Sequence, residues 1–230
     1  SPKVENIPGF QEVRGNEFAE KLVEQVVNQD AEVECAEVLS IRDGDIKTVV
    51  TDSGEFQGKS VIIATGAKHR LLGLENETNL IGEGISFCAV CDGAFYEGKT
   101  VAVIGGGNSA LQEAILLSDL AKKVYVIQNL DFFTGEQKLV EKLQSKDNVE
   151  IILGTVVEKL IGDNELKGII IKNTSTEEIT DLTLDGMFVA IGLVPQNDAF
   201  KEIINLDKRG YVNATEECIT NAKGIFVAGD

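Results

Sequence analysis

Residues Thr100 to Ala110 run as a short apolar segment, then three glycines, then asparagine, serine and alanine. Val101, Val103 and Ile104 suit a buried strand, and Gly105-Gly106-Gly107-Asn108-Ser109-Ala110 fits the G-x-G-x-x-G/A pattern, in which a tight turn delivers the chain into a helix. Glycine allows that turn, and the backbone N–H groups at the helix start can then meet a pyrophosphate. The following residues agree with this origin. A helix over 109–120, a strand over 123–127, a helix over 136–145 and a strand over 149–153 alternate as in an α/β, doubly wound parallel sheet. Short strands near 156–160, 166–172 and 178–182 predict an antiparallel meander, with Gly162-Asp163-Asn164 as one turn, and 187–192 closes the unit. The same glycines also serve tight strand-to-helix packing, so the turn specifies a fold more firmly than a bound nucleotide.

The flanks read as parts of a second domain. Phe18, Leu22 and Val26, with Ala19 and Val23, predict an amphipathic helix over 16–29 that lies on a sheet. Segments 33–41 and 46–51 form a hairpin through Asp43-Gly44. Residues 60–66 are an apolar run ending in Ala64-Thr65-Gly66, as expected of a strand buried on both faces that stops at a ligand crevice. A polar crossing follows, the chain crosses back near Pro195 to Asn197, and 224–230 supplies another buried strand. Because the sequence stops on Asp230, the functional end of that strand, it reads as truncated. The expected division is 1–68, 69–196 and 197–230.

The formal charge of −17, from 21 basic and 38 acidic residues, repels phosphate backbones and anionic membranes, so nucleic acid is not an expected partner. The same excess of acid also simply keeps a protein soluble. No apolar run approaches the roughly 20 residues of a membrane helix, and the polar start is no signal peptide, which points to the cytoplasm. Cys35 and Cys218 stand singly in apolar surroundings and are expected to be buried and inert.

Cys88 and Cys91 are different, because they stand at C-x-x-C spacing immediately before Asp92. That spacing serves zinc sites, redox disulfides and buried structural thiols. Zinc needs four ligands, and neither a second cysteine pair nor any histidine but His69 is present to supply them. A free thiol is only about 3% thiolate at pH 7, so disulfide exchange gains from a carboxyl group that can hold or deliver a proton, as Asp92 could. Asp92 also suits a turn cap beside Gly93. At the end of the second strand of the nucleotide fold, where an acid would hold a ribose hydroxyl and arginines a second phosphate, stand Gln128, Asn129 and Leu130. His69 reads as a solvated loop residue, since no G-x-S-x-G is present to make a hydrolase.

In order along the chain, Val4 to Phe10, Ala64-Thr65-Gly66, Cys88-Ala89-Val90-Cys91-Asp92-Gly93, the Gly105 to Ala110 turn, Asp185 to Gly192 and Gly224 to Asp230 resemble the bacterial-type, low-molecular-weight thioredoxin reductases. The resemblance implies an FAD-binding domain split around an inserted pyridine-nucleotide domain that carries the redox disulfide. By family role Cys91 faces the flavin, Cys88 attacks the disulfide of thioredoxin, and Asp92 is the acid. Ala64, Thr65, Gly66 and Asp230 belong to the FAD site. Gly105, Gly107, Asn108, Ser109, Ala110, Gln128 and Asn129 belong to the nucleotide site. Two domains that rotate about crossings near Lys68 and Pro195, and a homodimer, are implied as well.

Two departures bear on function. The family's amino-terminal FAD glycine turn and carboxy-terminal helix are missing from the sequence, so the chain resembles a central fragment and FAD is expected in a full-length parent. The arginine stretch that holds the second phosphate of NADPH falls on Gln128, Asn129, Leu130 and Thr134, while Asn108 and Gln112 stand where the family has acids. NADPH, NADH and a protein donor such as ferredoxin remain as alternatives, as does another small disulfide protein in place of thioredoxin. A non-catalytic nucleotide-binding or interaction domain is the alternative from a different class.

Overall fold

A computed structural model describes Val4 and residues 7–229, which places Asp230 outside the described residues. The chain divides into two compact units, one made of His69–Gly192 and the other of Val4–Lys68 with 193–229.

The outer unit begins with helix α1 (Gly15–Val27), whose Leu22, Val23, Val26 and Val27 all remain exposed. The expected seat on a sheet is therefore not realised: no residue of α1 is buried. Strands β1 (Val38–Arg42), β2 (Lys47–Thr51) and β3 (Glu55–Gly58) form an antiparallel sheet in the order β1-β2-β3. Asp43 closes the β1–β2 turn, accepting the Gly44 N–H and the Lys47 ammonium, each at 2.8 Å. Its carboxyl is held below the usual range, first by the Lys47 hydrogen bond and then by Gly44. Strands β4 (Val61–Ile63) and β5 (Ala67–His69) lead to the inner unit.

The inner unit holds β6 (Ile85–Ser86), β7 (Thr100–Ile104), β8 (Lys123–Ile127), β9 (Val149–Ile152), β10 (Thr155–Ile161), β11 (Gly168–Asn173), β12 (Ile179–Thr183) and β13 (Gly186–Val189). Its helices are α2 (Glu77–Leu80), α3 (Ala89–Asp92), α4 (Asn108–Ser118) and α5 (Gln137–Gln144). A five-stranded, wholly parallel sheet runs β6-β13-β7-β8-β9. Because side chains alternate along a strand, each strand feeds two cores. Val101, Val103, Val124 and Val126 pack with Ala110, Leu111, Ala114 and Leu117 of α4. Ala102, Ile104 and Met187 face the meander β10-β11-β12 through Val157, Ile169 and Ile171. Each fully buried valine, leucine, isoleucine or methionine among them stabilises the fold by about 1.5–3 kcal/mol.

The chain then returns through β14 (Leu193–Pro195), which pairs with β5, and ends in β15 (Ile225–Val227), parallel to β4. Pairing with β5 draws 193–195 into the outer compact unit. The outer core gathers Ile41, Ile63, Phe200, Ile204, Ala222 and Ile225. β4 is not buried on both faces as expected: Ile63 is buried but Ile62 is 67% exposed, because only one face of the β4–β15 pair is covered. Cys35 and Cys218 are also exposed, contrary to expectation. Cys35 lies in an extended segment outside any strand, and Cys218 sits in a turn at φ 60° rather than in a sheet.

Candidate functional site

All five strands of the inner sheet point the same way, so their carboxyl ends share one edge. Ser86 at the end of β6 leads to the C-x-x-C segment, Ile104 at the end of β7 to the glycine turn, Ile127 at the end of β8 to Gln128, and Val189 at the end of β13 to Ala190-Ile191-Gly192. Ligands of parallel α/β sheets bind at this edge. Here it carries both candidate centres.

At the first centre Cys88 and Cys91 form a disulfide with Cα atoms 5.3 Å apart. The pair sits at the ends of one helical turn, α3. The Cys91 N–H donates to Cys88 Sγ at 3.2 Å, and the Asp92 N–H to the Cys88 carbonyl at 3.0 Å. Asp92 does not cap the following turn. Its Oδ2 instead accepts the Ser86 hydroxyl at 2.7 Å, and the same hydroxyl accepts the Cys88 N–H at 3.1 Å. The carboxyl group is thereby tied to the cysteine backbone through a buried serine. Both cysteines are half-buried and Val90 between them is 84% exposed, so another molecule can approach the sulfurs. Below α3, Tyr96 packs edge-on against Phe188, and burial, then the charge of Asp92, raises its hydroxyl above the ordinary range.

Ser86 and Glu113 escaped the sequence reading. Glu113 interrupts the buried stripe Ala110, Ala114 and Leu117 of α4, and a charge at that spacing was the available signal. Its carboxyl accepts the backbone N–H of Ala89, while Oε2 is buried with no hydrogen-bond partner among the described residues. Burial pushes it up from 4.5 to about 7, opposed in part by the Ala89 N–H.

The second centre is a cavity of about 630 Å³ lined by Gly105, Gly106, Gly107, Asn108, Ser109, Gln128 and Asn129 among others. Ala110 lies beneath it, fully buried, and a Cβ on Gly105 would stand 3.2 Å from that alanine's own and 2.4 Å from the Ala190 oxygen. Gly105 itself holds φ 132°, where other residues are strained. No side chain caps the start of α4, which leaves first-turn amides open to a pyrophosphate. The turn therefore fits a dinucleotide backbone.

The far side of the cavity does not fit a second phosphate as the arginine-bearing pattern would. Gln128 is 5% exposed and its amide donates to the Phe132 carbonyl at 3.3 Å. The Thr134 and Gly135 N–H groups fold onto the Gly106 carbonyl at 2.9 and 3.0 Å. Asn108 is engaged with Glu136, whose N–H it accepts at 2.7 Å. Arg70 is the sole charged side chain lining the cavity among the described residues.

In the outer unit Ala64, Thr65 and Gly66 follow β4, and the Thr65 hydroxyl donates to Asn197 at 3.1 Å. A cavity of about 250 Å³ in this unit is lined by Asn197, Tyr211, Thr215, Cys218 and Gly229. That is below the roughly 300–1,000 Å³ of small-ligand sites, and Ala64, Thr65 and Gly66 are not among its lining residues. Among the described residues there is no cluster able to hold a metal ion and no helix long and apolar enough to cross a membrane.

The family model for pyridine nucleotide-disulphide oxidoreductases matches residues 1–230. A thioredoxin reductase of Listeria innocua is 37% identical over 231 residues, covering 99% of this chain and 72% of that protein. A protein of the rubredoxin operon of Clostridium pasteurianum is also 37% identical, with 74% of its length covered. The crystal structure of Lactococcus lactis thioredoxin reductase superposes with a TM-score of 0.75 at 32% identity, covering all of this chain and 77% of that one. The ordered motifs, the disulfide at the sheet edge and these likenesses agree, and the chain belongs to the thioredoxin reductase branch of the pyridine nucleotide-disulphide oxidoreductases, a family of flavin-dependent oxidoreductases.

Proposed function

We propose that this protein is a cytoplasmic, homodimeric reductase that passes electrons through FAD to the Cys88–Cys91 disulfide and on to thioredoxin. The observation that carries the reading is the half-exposed disulfide beside Asp92, on the same sheet edge as the dinucleotide cleft. Cys88 is the sulfur that attacks the partner, because the Cys91 N–H stabilises negative charge on it. Asp92, held by Ser86, is placed to deliver a proton to the departing sulfur. Bound FAD supplies two-electron transfer to the disulfide; Ala64, Thr65, Gly66 and Asp230 are the residues assigned to it. Domain boundaries follow the same reading, with 69–192 as the pyridine-nucleotide domain and the flanks as FAD domain.

For the donor, the cleft favours a dinucleotide without a second phosphate. Arginine bonds to that phosphate are worth about 1.5–3 kcal/mol each, and Gln128 and Asn129, which stand at those positions, carry no charge. NADH is the expected donor, with ferredoxin as the competing one.

Flavin-loaded protein, titrated anaerobically with NADH, NADPH and reduced ferredoxin, should bleach at lowest concentration with NADH. Bleaching by ferredoxin alone would remove the nucleotide step. Cys88→Ser and Cys91→Ser should each lower thioredoxin reduction by at least 10³-fold while leaving flavin bleaching intact. Reduction at the parent rate by either variant sinks the assignment.

A further inference from the structure

Glu113 is a titratable group beside the disulfide that the reaction as described leaves unused. α4 packs against α3, and the Glu113 carboxyl reaches the N–H of Ala89, a 2% exposed residue adjoining Cys88. Its Oε2 is buried without a partner among the described residues, so the ionised form has lost water on that side with none of them in its place. The elements packed on α4 bring few compensating charges. α3 brings Asp92, already bonded to Ser86; β7 brings no ionisable residue; β8 brings Tyr125 and Lys123, the latter paired with Glu150 at 2.9 Å; α5 brings Lys138, Glu141 and Lys142. None of them shifts Glu113, whose causes are burial and the Ala89 amide alone.

We propose that Glu113 is a positioning residue for the redox disulfide, fixing the Cys88–Cys91 turn through the Ala89 amide and taking up a proton when the S–S bond is reduced. The inference rests on the reading that this disulfide cycles. Two electrons, from a dithiol or reduced flavin, enter the S–S bond and break it. One proton goes to the Cys91 sulfur. The negative charge stays on Cys88, whose Sγ accepts the Cys91 N–H. That charge appears one residue from the amide that Glu113 holds, and a like charge nearby strengthens a carboxylate's hold on a proton. Over the pH interval in which Glu113 is ionised in the disulfide form but protonated in the reduced form, reduction takes up two protons instead of one.

The test equilibrates the chain with oxidised and reduced dithiothreitol between pH 5.5 and 9, reading the Cys88–Cys91 pair by alkylation and peptide mass spectrometry, for the parent and Glu113→Gln. Glutamine keeps an acceptor for the Ala89 N–H but cannot ionise. Just above pH 7 the parent's equilibrium constant for reduction should fall with pH ten times more per unit than the variant's, an extra 30 mV or so. Below pH 6 the two should run parallel. Parallel behaviour across the whole range overturns the proposal. In the parent alone, the alkylation rate of Cys88 against pH should show two ionisation steps, and a single step overturns the proposal even if the variant does not fold. A disulfide that resists dithiols at every pH overturns this inference and the reductase reading together, whereas one that cycles without the extra proton overturns only the inference.

Discussion

Glu77, which is buried, and Glu113, which is half-buried with one oxygen shut away from water, show opposite solutions. Glu77 is 2% exposed and accepts three backbone N–H groups, from Leu72, Gly73 and Leu74, at 2.7–3.2 Å. Its carboxylate organises the loop before α2, and Glu77→Ala should cost about 2–3 kcal/mol, read as a lower urea midpoint at unchanged slope. Glu113 has one amide and an orphan oxygen, and its folded-state value of about 7 lies above the ordinary 4.5. The folded state thus binds that proton more tightly than the unfolded chain does. Its contribution is full below pH 4.5 and is lost as pH rises through 7, so the parent's unfolding free energy should decline across that window and that of Glu113→Gln should decline less. The Cys88–Cys91 pairing was legible in the sequence because it is local, two thiols on one turn. Ser86 was not, since its role comes from hydrogen bonds that only the folded turn after β6 brings together. Glu113 was half legible: the stripe betrayed its burial, but the Ala89 amide lies 24 residues away and only packing of α4 on α3 joins them.

Among the elements, the strand–turn–helix from β7 to α4 was the most readable, because Gly105 has a backbone requirement that the sequence states outright. Gly105→Ala would place a Cβ 2.4 Å from the Ala190 oxygen at φ 132°, so backbone must move. The expected loss is about 3 kcal/mol, together with dinucleotide binding, checked by urea unfolding and by nucleotide titration. β8 emerged at its expected bounds, as a five-residue apolar run enclosed by neighbours would. β3, a four-residue strand with three exposed residues, was missed, as were β5, β6 and β14. Strands of two or three residues carry no period of their own and exist only because a partner offers a ladder. α1 was correctly typed as a helix, since its pattern is local, but its exposure was not foreseen, since that depends on what lies across from it.

For the whole molecule, two units with separate cores imply two unfolding events. Phe188, Leu111 and Leu117 belong to cores wholly within 69–192, whereas Ile41, Ile63 and Ile225 belong to the other. Calorimetry of Gly105→Ala should lower one transition by several degrees and leave the second in place; a single transition moving as one would show the units melting together. The charge of −17 could be read from the sequence, since it follows from composition alone. The seating of 193–195 in the outer unit could not, because it is decided by the pairing of β14 with β5. The sheet order has a last consequence. β13, the final strand of the inner unit, lies between β6 and β7, the first two. During synthesis those early strands have no common neighbour until residue 189 has left the ribosome, so the segment bearing both thiols remains open to oxidants and chaperones until the keystone arrives.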